Sequence, residues 1–204
     1  MLEHNGIWLP DGETHLQTVM IGDTYQLRKY KTALEYTPNR YRALDIGAHC
    51  GLWSRQMVQE FRIVEAFEPV PEHGECFVKN VKSGYHLHRI AVGAGQKKIG
   101  IEAESGSSGD SYVGKGDDYN MHTIDEYNFQ DVSFIKIDCE GYEYFIVKGA
   151  EETIKENKPT IIVEQKPGKA QRYGLKETQA VDLLKSWGMT LKAEDVDDYI
   201  LAWE

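Results

Sequence analysis

Three carboxylates, one glycine-rich turn and a distant acid are the residues of this chain whose types and spacing point to chemistry. Asp138 and Glu140 stand where the apolar run Phe134-Ile135-Lys136-Ile137 gives out, and Glu164 stands where Ile161-Ile162-Val163 does. Acids gathered at such a place can orient a substrate hydroxyl, accept its proton or pair with cationic groups of a ligand. Three oxygen donors could also hold a divalent cation, but acids at strand ends are common and no metal is expected. Upstream, Asp45-Ile46-Gly47-Ala48-His49-Cys50-Gly51 contains two glycines. Gly47 permits a tight turn, Gly51 lets a following helix lie close to the sheet, and the amides between them are expected to face a ligand. Glu68 follows Gly47 by 21 residues, the offset at which an acid binds ribose hydroxyls. A carboxylate accepts two hydrogen bonds from a vicinal diol and repels a 2′-phosphate. The bland alternative is that Glu68 only ends a strand. Turn and acid together indicate an adenosine-type ligand carrying little or no phosphate.

Other chemistries fit less well. A dinucleotide fingerprint requires a second glycine two residues after the first, and that place is taken by His49, which disfavours an NAD-dependent oxidoreductase. Gly114-Lys115-Gly116 lacks the Ser or Thr that follows the lysine of a P-loop. His49 is a candidate base, although a histidine in such a turn more often packs or caps. Glu143 is expected in the first turn of a helix, where the dipole favours an acid. His86 and His88 share a strand face but sit mid-strand, and His73 and His122 offer no usable spacing.

The elements that must position these groups follow from periodicity. Short apolar strands are read at 42–46, 63–67, 86–92, 132–138 and 159–164, with helices at 23–36, 52–61, 72–82, 143–157 and 175–187. A closing hairpin is read at 189–193 and 199–203. Alternation of this kind builds a doubly wound α/β sheet with helices on both faces, and ligands then sit at the carboxyl ends of the strands. Residues 1–40 form an N-terminal extension to a domain spanning 41–204. From Ser105 to Gly116, eight of twelve residues are Gly or Ser. Two readings stand for that stretch, a flexible surface excursion and a mobile cover over the ligand.

Composition narrows the setting. The 204 residues are 41% hydrophobic and 27% charged, with a net charge of −10, so the surface repels a phosphate backbone and no nucleic-acid partner is expected. No apolar run exceeds five residues, against roughly 20 for a membrane span, so no membrane partner is expected either. Three widely spaced cysteines without a CxxC pair, and an acidic start unlike a signal peptide, suit a reducing cytoplasm.

Leu44-Asp45-Ile46-Gly47-Ala48 with Gly51, Ala66-Phe67-Glu68-Pro69, the stretch from Phe134 to Glu143 with Val147-Lys148-Gly149-Ala150, and Pro159 to Glu164 together resemble the FkbM family of S-adenosylmethionine-dependent methyltransferases, over about residues 41–166. The Asp-Cys-Glu-Gly run and the later Lys-Gly-Ala carry most of the likeness; Cys139 departs from the small aliphatic residue more usual there. The resemblance implies a Rossmann-like, seven-stranded sheet whose last strand is antiparallel, and methyl transfer from S-adenosylmethionine to a hydroxyl of a sugar or related small metabolite. By position it implies that Asp45, Gly47, Ala48, His49 and Gly51 cradle the methionine part and Glu68 the ribose. By position, Asp138 and Glu140 would face the methyl group and the acceptor. On the residues themselves, Asp138 or Glu140 is expected to accept or orient the acceptor proton, with Glu164 and Lys136 in support. The competing class is a non-catalytic module that binds an adenosine ligand.

Overall fold

A computed structural model describes residues 1–19, 25–103 and 107–204. The chain opens with a hairpin, β1 (Leu2–His4) and β2 (Ile7–Leu9), followed by α1 (His15–Val19) and α2 (Leu27–Glu35). Then come β3 (Arg42–Ile46), α3 (Leu52–Glu60), β4 (Ile63–Phe67), α4 (Pro71–Asn80) and β5 (Tyr85–His88). Three further strands, β6 (Ala91–Val92), β7 (Lys97–Ala103) and β8 (Ser111–His122), precede β9 (Val132–Ile137). The chain continues through α5 (Glu143–Lys148), α6 (Glu151–Asn157), β10 (Thr160–Glu164) and α7 (Gln179–Ser186), and ends in β11 (Thr190–Asp195) and β12 (Asp198–Ala202).

Seven strands form the central sheet in the order β11-β12-β10-β9-β3-β4-β5. Neighbours pair in parallel except around β12, which runs antiparallel to both β10 and β11. The doubly wound α/β architecture with an antiparallel last strand is therefore present. Because successive strand residues point to opposite faces, the sheet feeds two cores. Ala43, Val64, Phe134 and Ile162 meet Tyr30 of α2 and Trp53 and Met57 of α3. Leu44, Ile135, Ile161 and Val163 meet Ile146 of α5, Ile154 of α6, and Val181 and Leu184 of α7. Each such fully buried aliphatic side chain contributes roughly 1.5–3 kcal/mol. Among the described residues no helix is long and apolar enough to cross a membrane.

Several elements differ from the periodic reading. The helix read over 143–157 is two helices, which break at Gly149 and Ala150, where the chain passes so close to the loop after β6 that a side chain at Gly149 would meet the Gly93 carbonyl oxygen at 2.0 Å. The strand read over 86–92 divides: Tyr85–His88 joins the central sheet and Ala91–Val92 a separate three-stranded sheet, order β6-β8-β7. The Gly/Ser-rich stretch is largely ordered structure, with a 3₁₀ turn at Ser108–Asp110 and then β8; Ser105 and Gly106 lie outside the described residues. Gly116 of the stretch faces Gly100 of β7 at a close crossing, where a Cβ on Gly116 would lie 3.0 Å from the Gly100 Cα and one on Gly100 1.9 Å from the Lys115 carbonyl oxygen. The helix read from Asp23 is described from Leu27, with Asp23 and Thr24 outside the described residues. The last helix starts at Gln179, after a 3₁₀ turn at Ala170–Tyr173.

Candidate active site

The carboxyl ends of β3, β4, β9 and β10 meet at one rim, where two clefts open side by side. The first, ≈ 630 Å³, runs past Glu68, Val70, Ile90, Val92 and Val113. The second, ≈ 1050 Å³, is walled by Tyr25, Trp53, Lys136, Glu164 and Lys166. Gly47, His49, Gly109, Asp138 and Glu140 line both.

The turn after β3 is left-handed at Gly47 (φ +78°), His49 (φ +48°) and Gly51 (φ +84°). Gly47 must lack a side chain, because a Cβ there would lie 2.0 Å from the Asp138 carbonyl oxygen. Gly51 brings α3 against α4 rather than against the sheet, since a Cβ would meet the Phe77 ring at 2.8 Å. The amides do not face the cleft as expected: Gly47 and Ala48 donate to the Phe67 carbonyl, Gly51 to that of Ala48, and His49 to Glu68. These donors are committed within the protein, so the turn offers them to no diphosphate.

Glu68 is buried in the first cleft's wall rather than turned to bulk water. Its Oε2 accepts the His49 amide at 2.9 Å, its Oε1 accepts the Val70 amide at 2.8 Å, and His73 Nδ1 stands 3.2 Å from Oε1. Burial opposes its charge, but these donors, His73 foremost, hold the carboxyl below its usual range. His73 in turn lies edge-on to the His49 ring, centroids 4.3 Å apart. The buried His73 had no legible role in sequence; only its five-residue offset from Glu68, across Pro71, pointed to contact.

At the acidic end, carboxylate oxygens of Asp138, Glu140 and Glu164 lie within 4.8 Å of one another. Adjacent parallel strands β9 and β10 bring Asp138 beside Glu164 as the sheet order requires. Lysines supply the counter-charge. Lys136 Nζ is 3.4 Å from Asp138, 3.7 Å from Asp45 and donates to the Gly47 carbonyl at 3.0 Å. Lys166 bridges Glu140 (2.7 Å) and Glu164 (2.9 Å), and Lys169 reaches Glu140 at 3.1 Å. Lys166 follows Glu164 by two residues and so shares its phase, a signal that was available; Lys169 had none. Burial works against an ionised Asp138, yet Lys136 and Lys166 hold it well below the usual carboxylate range. Burial first, and then the Asp138 charge, push Glu164 and Glu140 upward. The two shifts run in opposite directions, favouring charge on Asp138 and the neutral form of Glu164, with a hydrogen bond between them. Lys136 and Lys166 remain ammonium ions although burial opposes it, since the surrounding acids raise them.

Asp45 is fully buried beneath the rim, where Ser54 Oγ donates to it at 2.6 Å. Lys136, which lines the second cleft, links it to the site. Glu143 does more than sit at a helix start. Its Oε1 folds back to accept the amides of Cys139 (3.0 Å) and Gly141 (2.9 Å), fixing the turn that presents Glu140 in a left-handed conformation (φ +53°). His86 and His88 both reach Glu65 on the sheet (3.1 and 2.8 Å), with His88 at the end of β5 rather than mid-strand.

Among solved structures, the chain is similar to methyltransferase FkbM from Methylobacillus flagellatus KT (TM-score 0.54, 17% identity), covering 97% of this chain and 48% of that one. This chain therefore spans about half the length of that relative. It is similar along its whole length to precorrin-6y C5,15-methyltransferase from Geobacter metallireducens GS-15 (TM-score 0.55, 14% identity, 99% of this chain and 100% of that one). A third similar structure is SMU.1697c from Streptococcus mutans in complex with SAH (TM-score 0.53, 10% identity, 89% and 97%). No curated protein matches the chain. At these identities the solved structures bear out the Rossmann-like fold. The family rests on sequence: residues 45–191, most of the chain, match the methyltransferase FkbM domain, and the protein belongs to that methyltransferase family.

Proposed function

We propose that this chain is an S-adenosylmethionine-dependent O-methyltransferase acting on a hydroxyl of a sugar or related small metabolite. The observation that carries this reading is Asp138: an ionised carboxylate, flanked by lysines, at the junction that two clefts share. The family and the SAH complex of the similar Streptococcus mutans protein support the cofactor. The cleft fits it on its own terms. Gly47 turns the chain tightly against the Asp138 backbone at the cleft's edge, Glu68 offers a diol acceptor within the wall, and apolar Val70, Ile90 and Val92 suit a flat base. The internally bonded turn amides suit a ligand without a diphosphate, against an NAD reading. Glu68 would hold the ribose, the turn from Gly47 to Gly51 the methionine part, with Asp45 acting through Lys136, and Asp138 the ammonium group.

Bound there, S-adenosylmethionine supplies a methyl group already activated on a sulfonium. The chain's residues then have to position an oxygen and take a proton. Asp138 accepts a hydrogen bond from the acceptor hydroxyl and receives its proton as the oxygen becomes alkylated. An alkylated oxygen is far more acidic than an alcohol, so a carboxylate of depressed basicity is sufficient. Glu164, protonated, donates to Asp138 and fixes its orientation. Glu140, held by Lys166 and Lys169, faces the acceptor. The mixed acids and ammonium groups of the second cleft match a neutral polyol, whose hydroxyls both donate and accept. Residues 1–40 serve as an extension that walls this cleft, through His15, Leu16, Tyr25 and Gln26, while 41–204 form the catalytic domain. A small-molecule acceptor and a reducing, cytoplasmic setting complete the reading; the three free thiols support the latter.

Thermal shifts with S-adenosylmethionine, S-adenosylhomocysteine and NAD test the cofactor, because a native-state ligand at 100 Kd stabilises by about 2.7 kcal/mol. Stabilisation by NAD alone overturns the reading. Screening hydroxylated metabolites with labelled cofactor then identifies the acceptor. Asp138→Ala should abolish transfer while a reduced S-adenosylhomocysteine shift persists through Glu68 and the Gly47–Gly51 turn. A binding-only module would show the shift and transfer to no acceptor, and full turnover by the variant would discard the assignment of Asp138.

A further inference from the structure

Glu13 belongs to the N-terminal segment, outside both the sheet and the family match, yet its side chain is wholly buried. Its Oε1 accepts the Leu16 amide at 2.9 Å, at the start of α1. Its Oε2 accepts two donors from Ser108, the backbone N–H at 2.9 Å and the hydroxyl at 2.5 Å. With the hydroxyl proton directed to Glu13, Ser108 Oγ is left to accept from His49 Nε2–H, 2.8 Å away. The His49 backbone amide then donates to Glu68. Hydrogen bonds thus link Glu13 to Ser108, Ser108 to the His49 ring, and the His49 backbone amide to Glu68.

The place of Ser108 gives these links their meaning. The 3₁₀ turn Ser108–Asp110 lies across the junction of the clefts: Ser108 lines the first, Asp110 the second and Gly109 both. Its far side is tied to the acidic cluster, since Asp110 lies 3.4 Å from Lys169, which pairs with Glu140. His49 sits in a left-handed conformation that a residue with a Cβ adopts at a cost of about 1–2 kcal/mol, so its placement needs outside support. A buried carboxylate demands donors, and Glu13 meets that demand with both polar hydrogens of Ser108.

We propose that Glu13 is a positioning residue of the cofactor cleft: it clamps the Ser108–Asp110 turn over the junction and, through Ser108, fixes His49 and hence Glu68. The proposal rests on the reading of that cleft as an S-adenosylmethionine site, and makes the N-terminal segment part of the site rather than an appendage.

The test compares the full-length protein with Glu13→Gln, Ser108→Ala and the double variant, using S-adenosylhomocysteine in calorimetry and hydrogen exchange on the ligand-free protein. Gln replaces an acceptor oxygen with a donor facing Ser108, and Ser108→Ala removes only the bridging hydroxyl from a partly exposed turn. Each single variant should weaken binding about tenfold, the scale of losing a charge-assisted hydrogen bond, and speed exchange of amides in 48–51 and 108–111. The double variant should be no weaker than the worse single one, because both break the same links. Wild-type affinity in Ser108→Ala, or additive losses, overturns the clamp. If Glu13→Gln fails to fold, Ser108→Ala decides alone. If the unaltered protein binds no S-adenosylhomocysteine, the cofactor reading fails instead, and the exchange comparison still decides the clamp: unchanged exchange in 48–51 refutes it.

Discussion

Lys136→Met is the perturbation whose size the structure sets most directly. Lys136 is nearly buried between Asp45, which is fully buried, and Asp138. Methionine preserves the apolar stem and removes the charge. Asp138 keeps Lys166 nearby, but among the described residues Asp45 is left with Ser54 as its donor, and its Oδ1 already lacks a hydrogen-bond partner. A carboxylate in that position protonates rather than stays charged. Taking up a proton at about pH 7 against an unfolded pKa of about 3.9 costs about 4 kcal/mol. Part of that is already present, because burial raises Asp45 even with the lysine in place. A loss of about 2–3 kcal/mol is therefore expected, on the scale of a broken buried ion pair, or a Tm lower by roughly 5–10 °C for a chain of this length. The sign of the pH dependence is diagnostic. With the folded pKa raised above the unfolded value, Asp45 contributes its full stability below the unfolded pKa and loses it as pH rises through the folded one. The deficit of the variant should accordingly shrink by up to about 1.4 kcal/mol per unit as pH falls from about 7 to about 5. Urea unfolding of the unaltered protein, Lys136→Met and Lys136→Met/Asp45→Asn across that range measures it, and the double variant should recover most of the loss. A deficit that ignores pH, or one the second substitution fails to relieve, would refute the account.

Further outcomes follow from the same site. Burial pushes the Glu143 carboxyl up to about 7, so its contribution is present below the ordinary value and lost as pH rises through about 7; Glu143→Gln should flatten that part of the stability–pH curve, seen as a difference from the unaltered protein. Gly47→Ala forces a Cβ to 2.0 Å from the Asp138 backbone at φ +78°, and should destabilise by on the order of 3 kcal/mol, with loss of cofactor binding in a thermal-shift assay. Glu164→Gln mimics the protonated acid and should leave methyl transfer near pH 7 within about threefold, whereas Asp138→Asn should lower it by at least about 100-fold. Equal losses in the two would reverse their roles.

Much of the site was legible because strand ends are legible. A parallel strand buried on both faces reads as an apolar run that stops where the sheet stops, and Asp138, Glu140, Glu164 and Glu68 each follow such a stop. The turn at Gly47 was visible in the same way, but the direction of its amides was not, since the acceptor for two of them is the carbonyl of Phe67 on the next strand. The small sheet was missed because β8 carries glycines that resemble a linker. They are there so that β7 and β8 can cross closely, a requirement set by a partner strand and invisible in either segment alone. The break at Gly149 has the same origin, the approach of Gly93.

By itself, the order of residues determined the alternation of strands and helices, the acids that end at one rim and the family, because each depends on neighbours a few positions away or on motifs in sequence. Only the folded chain decided which acids are charged, which lysines face them, and that Glu13 reaches Ser108 and His49. Those properties depend on burial and on distances between segments tens of residues apart, and both come into being when the sheet closes over its two cores.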